Sequence, residues 1–96
     1  MPSYLVETYL ARGKTGERAS REQRARAAAK ELTQKSVCVR FERSIHVPED
    51  EICFFVFEAP SGREAALVAD RAGLDPFRVV EAVSSDVDSI DPKEEI

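Results

Sequence analysis

The chain has no tryptophan, one histidine, two cysteines and four glycines in 96 residues. No Gly-rich phosphate loop, G-x-S-x-G elbow, C-x-x-C pair or H-E-x-x-H helix can be found in it. That excludes the commonest phosphate-binding, serine-hydrolase, thiol-redox and zinc-protease mechanisms. The longest apolar run is ICFFVF, Ile52–Phe57, far short of the roughly 20 residues of a membrane-spanning helix. The opening MPSYLVETYLARGK lacks the basic-then-apolar layout and small-residue cleavage site of a secretory signal and alternates like a strand instead. A cytoplasmic location is therefore expected, with both cysteines as free thiols.

What is present suits one soluble domain. A chain of this length buries about 60–65% of its unfolded surface, and 43% hydrophobic with 33% charged residues is ordinary globular composition. The net charge of −4 is unevenly spread: residues 1–48 hold ten Lys/Arg against five Asp/Glu, and residues 49–96 hold four against thirteen. Such polarity could steer a charged partner or support head-to-tail association. A basic helix and an acidic tail account for it equally well.

SYLVETYL, residues 3–10, is rich in β-branched and aromatic types and reads as a strand. Gly13 and Gly16 end that pattern, and residues 17–35 supply a helix rich in Ala, Arg and Glu. Glu17/Arg21, Glu22/Arg26 and Glu31/Lys35 are spaced i,i+4 with the acid first, the favourable orientation. The helix's buried stripe is thin: Ala25, Ala28, Ala29 and Leu32.

Residues 37–47 alternate as a second strand. Val37, Val39, Phe41, Ile45 and Val47 share one face, and Cys38, Arg40, Glu42, Ser44 and His46 the other. PEDE forms a turn, and ICFFVFEA is apolar on both faces, as in a central strand covered on both sides. Ser61 and Glu64 make an S-x-x-E capping box, with Gly73 where a left-handed helix end belongs. Phe77–Ser84 is the last strand, and the acidic segment 85–96 is expected to lie outside the domain of residues 1–84.

The order β-α-β-β-α-β predicts an α+β, ferredoxin-like sandwich: a four-stranded antiparallel sheet with two helices on one face. The other face must carry Phe55 and Phe57, or Phe54 and Val56, by alternation. An apolar face of that kind needs cover, so a homodimer through the sheet is expected, the alternative being a monomer whose tail folds across it.

Several pieces of the chain also resemble, in order, a family of small uncharacterised bacterial proteins, the DUF4242 group. They are YLVET (Tyr4–Thr8), the RS ending at Ser44, Asp50, CFFVFEAP (Cys53–Pro60) and RAGLDPFRVVEAV (Arg71–Val83). The resemblance covers roughly residues 3–83, with C-x-x-x-x-E-A-P as its most specific part. It implies a ferredoxin-like fold, dimerisation through the sheet and, since some members are described as nickel-binding, a divalent metal, with no known reaction. The chain departs from the pattern in its basic, alanine-rich first helix and at Phe41 and Ile45.

The sharpest constellation is His46 with Cys53. If the turn is centred in PEDE, the two face each other across the hairpin, with Cβ atoms roughly 4.5–5.5 Å apart. Imidazole and thiolate suit Zn²⁺, Ni²⁺ or Cu. A tetrahedral site needs further ligands, here Glu7 or Glu42, with Ser44 in support, or water or a second copy. A buried thiol beside a strand-end histidine explains the same residues without a ligand. Cys38 lies eight positions beyond Cys53's partner, roughly 26 Å along the strand, which argues against a disulfide.

Glu7, between Leu5 and Tyr9, could wall a cavity and act as a base if buried, although no second acid–base partner stands at a fixed spacing. Arg40 and Arg43 flank Phe41, but the aromatic–basic pattern of an RNA-reading sheet is missing and nucleic acid is not an expected partner. The reading is thus a non-catalytic homodimer that binds a divalent metal, nickel-like, or a small ligand through His46, Cys53, Glu7, Glu42 and Ser44. The alternatives are a cofactor-free enzyme of the dimeric α/β-barrel kind and a protein-interaction module without a ligand.

Overall fold

Four strands and two helices are arranged in a computed structural model that describes residues 1–83 and 85. They are β1 (Ser3–Tyr9), α1 (Glu17–Gln34), β2 (Arg40–Val47), β3 (Ile52–Glu58), α2 (Gly62–Arg71) and β4 (Arg78–Ala82). Every strand pair is antiparallel, in the spatial order β2-β3-β1-β4. This is the expected βαββαβ sandwich. The expected acidic segment 85–96 lies almost wholly outside the described residues, as does Ser84 at the end of the last strand.

Alternation on β3 decides the layers. Cys53, Phe55 and Phe57 are fully buried and pack with Tyr4 and Val6 of β1, Ala25, Ala28, Ala29 and Leu32 of α1, and Ala65, Val68 and Ala69 of α2. Both helices therefore cover this face. The small residues on α1 are those its sequence pattern marks out, and they let the helix lie close to the Phe rings. Phe54 and Val56 point to the other side, so that pair, and not Phe55 and Phe57, lies on the face the helices leave open.

Both helices end in Schellman motifs. In α2, Leu74 N–H bonds Ala69 C=O and Gly73 N–H bonds Asp70 C=O, with Gly73 at φ 68°. In α1, Val37 N–H bonds Leu32 C=O and Ser36 N–H bonds Thr33 C=O, with Ser36 at φ 72°. A serine in the left-handed region gives little sequence signal for a helix end. That motif explains why β2 begins at Arg40 and not at Val37. Residues 36–39 are tied to the helix end, where the Thr33 hydroxyl also donates to Val39 C=O at 2.9 Å. β3 offers them no partner either, because the rung Arg40–Glu58 is its last.

At the start of α2 the Ser61 hydroxyl oxygen accepts from Arg63 N–H at 3.3 Å and donates to the Glu64 carboxylate. Ser61→Ala should lower the unfolding free energy by about 1 kcal/mol, measured by urea denaturation. The serine hydroxyl also holds the Glu64 carboxyl below its ordinary value of 4.5. Glu64's contribution to the cap is therefore complete above that pH and is lost as the pH falls through the lowered value, while the Arg63 N–H bond to Ser61 does not titrate.

The second strand corrects the sequence reading most. Its register against β3 slips between Phe41, opposite Phe57, and Arg43, opposite Val56. This β-bulge inserts one residue and reverses the phase beyond it. Phe41 faces the helices, but Ile45 and Val47, expected beside it, face the open side. Ser44 and His46 turn toward the helices, while Glu42 stays on the open face.

Candidate functional site

The hairpin turn is a 3₁₀ turn over Pro48–Asp50, closed by Glu51 at φ 55° and a bond from Glu51 N–H to Pro48 C=O. It sets Val47 opposite Ile52 and His46 opposite Cys53, the pairing the PEDE turn predicts. Thr8 of β1 completes the rung on the other side of Cys53.

The first half of α1 roofs this rung. Arg21 reaches down to Tyr9 C=O at 2.8 Å and to the Thr8 hydroxyl, which itself donates to Cys53 C=O at 2.8 Å. Glu22 accepts a hydrogen bond from the Ser44 hydroxyl. Cys53 is 0% exposed, and burial pushes its thiol above 9.0, against the opposing pull of the Arg18 and Arg21 cations. His46 is half-buried, and its Nε2 is fully covered with no hydrogen-bond partner among the described residues. An unpaired buried nitrogen of this kind costs about 1–3 kcal/mol.

Strand alternation, reversed within β2 by the bulge, divides the five candidate ligands. His46, Cys53 and Ser44 project toward the helices. Glu7 and Glu42 project from the other side of the sheet and do not join them. Glu7 is 7% exposed, is ion-paired with Arg78, and its backbone C=O accepts from Phe77 N–H. Glu42 accepts from the Ser3 hydroxyl at 3.1 Å and lies 3.8 Å from Arg43. Among the described residues no three His, Cys, Asp or Glu side chains gather closely enough to hold a metal ion. His46 and Cys53 are thus two donors, and the carboxylate on their side is Glu22. The sequence pattern hides it, because Glu22 is well placed for an i,i+4 pair with Arg26 and is instead drawn to Ser44.

Leu5, Val80, Phe54, Val56, Ile45 and Val47 form an apolar band across the open face. It is bordered by the ion pairs Glu7–Arg78 and Arg40–Glu58. Ile45 is 40% exposed.

The thiols differ sharply in access, Cys38 being exposed and Cys53 buried, and neither is in a disulfide. One thiol per folded chain should react promptly with a colourimetric disulfide reagent at pH 8. The second should react only after denaturant is added. Prompt reaction of both would mean that the helix layer does not cover the His46–Cys53 rung.

Strand order and helix layer define the protein as an α+β, ferredoxin-like sandwich with one sheet face that the described residues leave open. Among solved structures it is similar to SCO4226 of Streptomyces coelicolor A3(2), with a TM-score of 0.71 and 19% identity. The match covers 88% of this chain and 99% of that one, and at this identity it shows the fold alone. No protein-family model matches the chain. No curated protein matches it either. No helix among the described residues is long and apolar enough to cross a membrane.

Proposed function

We propose that this protein is a non-catalytic homodimer, joined through its open sheet faces, that binds a divalent cation of the nickel or zinc kind, or a small ligand, at the His46–Cys53 rung. The observation that supports the binding site is the covered, unpartnered His46 Nε2 on the rung of a buried thiol. An imidazole nitrogen and a thiolate are donors suited to these metals. Two protein donors leave coordination positions for water or a small ligand, the arrangement of an open site and not of a closed structural one. Glu22, already on the same side, is the carboxylate that could exchange its Ser44 hydrogen bond for the cation. Glu7 and Glu42 take no part. The resemblance to the DUF4242 group agrees with a metal ligand.

Calorimetric titration of Ni²⁺ and Zn²⁺ into wild type, His46→Ala and Cys53→Ser tests this reading. Stoichiometric binding is expected, weakened in each variant by more than the roughly 10–100-fold that loss of an outer-shell partner costs. Because the metal displaces the proton of a thiol whose titration is pushed up, affinity should rise with pH across the neutral range. Equal affinity in all three proteins would remove the site.

A further inference from the structure

Away from this rung, a groove of about 440 Å³ runs between α1 and the edge strand β2. Ala29, Val39 and Phe41 form its apolar floor, and Arg26, Lys30 and Arg40 stand around it. Its volume falls within the roughly 300–1,000 Å³ of small-molecule sites. Arg40 is six residues from His46 along β2, about 20 Å, so the two sites are separate.

Two of the three cations around this groove have no carboxylate partner among the described residues. Sequence spacing gives Arg26 a partner in Glu22, but that carboxylate is held by Ser44. Arg26 instead lies 5.2 Å above the centre of the half-buried Phe41 ring. Among the described residues neither Arg26 nor Lys30 makes an ion pair, and of the three cations only Arg40 has one, with Glu58. Arg26 and Lys30 are four residues apart on one helix face, where like charges repel by a few tenths of a kcal/mol. An anion between them would reverse that term. It would also gain charge-assisted hydrogen bonds, while an apolar body could lie on the floor beside a ring already engaged by a cation.

We propose that this groove binds a small amphipathic carboxylate, its head between Arg26 and Lys30 and its apolar part over Ala29, Val39 and Phe41. The complementarity is one of sign as well as shape, since three cations border the apolar floor.

The test uses 2-naphthoate as the probe, titrated into the full-length ¹⁵N-labelled protein and followed by NMR. Its neutral analogue 2-naphthalenemethanol is the control. Saturable shifts are expected at the amides of residues 26–34 and 39–41. Affinity should fall about tenfold or more in the double variant Arg26→Gln/Lys30→Gln, and by a similar factor for the alcohol. Both side chains are exposed, so the variant should keep the wild-type circular dichroism spectrum. The site is overturned if saturation is not reached, if the shifts fall on the open sheet face at Leu5, Phe54 and Val80, or if the double variant or the alcohol binds as tightly. Because no donor of the His46–Cys53 rung is changed, this result is independent of the metal titration.

Discussion

Phe55→Ala should lower the free energy of unfolding by about 3–5 kcal/mol, the range for deleting a fully buried phenylalanine. Phe55 is 0% exposed and is inserted between both helices and the sheet, with the Phe41 ring 6.2 Å from its own. The thin, alanine-built stripe of α1 makes the loss severe. Ala25, Ala28 and Ala29 are too short to follow the missing ring, so a cavity persists. A domain of this size has a total stability of about 5–12 kcal/mol, and the variant would lose a large share of it. Urea denaturation followed by circular dichroism measures the change; the chain has no tryptophan to report it by fluorescence. A loss below about 1 kcal/mol would mean that this face of β3 is not the core.

Phe54→Glu should have the opposite balance, with a smaller effect on the fold, from the like charge of Glu7 directly across the strand pair, and a large one on association. Phe54 is only half-buried and stands in the apolar band with Ile45 and Leu5. In the proposed homodimer that band is covered by its copy, and a carboxylate at position 54 would be desolvated beside Glu7, whose own cation, Arg78, is already engaged. The expected cost is about 3 kcal/mol or more, over a hundredfold in the dimer dissociation constant. By light scattering at micromolar concentration, wild type should have twice the chain mass of 10.7 kDa and the variant the single-chain mass. A wild type that stays monomeric at those concentrations would rule out the proposed interface.

Much of the fold could be read from local features. Ser61 and Gly73 bracket α2 because capping stereochemistry depends on a few neighbouring residues. The two-sided apolarity of ICFFVF placed β3 at the centre of the sheet for a similar reason, since a strand flanked by neighbours and covered on one face exposes little of either. The pairing of His46 with Cys53 followed from turn length alone.

The candidate ligand set was less legible. Strict alternation put Glu42 beside Ser44 and His46, but the bulge after Phe41 places them on opposite sides. Glu22 was read as the partner of Arg26, and competition from Ser44, 22 residues away, could not be seen in helix spacing. The same diversion leaves Arg26 without its i,i+4 carboxylate and so exposes the basic groove.

The sequence by itself determined the order of the elements, the caps of α2, the hairpin register and the two-sided apolar central strand. Each of these is encoded by residues within one turn or one strand of each other. Only the tertiary structure decided which face of the sheet the helices cover, where β2 slips by one residue and which carboxylate reaches Ser44. These depend on packing between segments distant in the chain, where one inserted residue redirects every side chain that follows it on the strand.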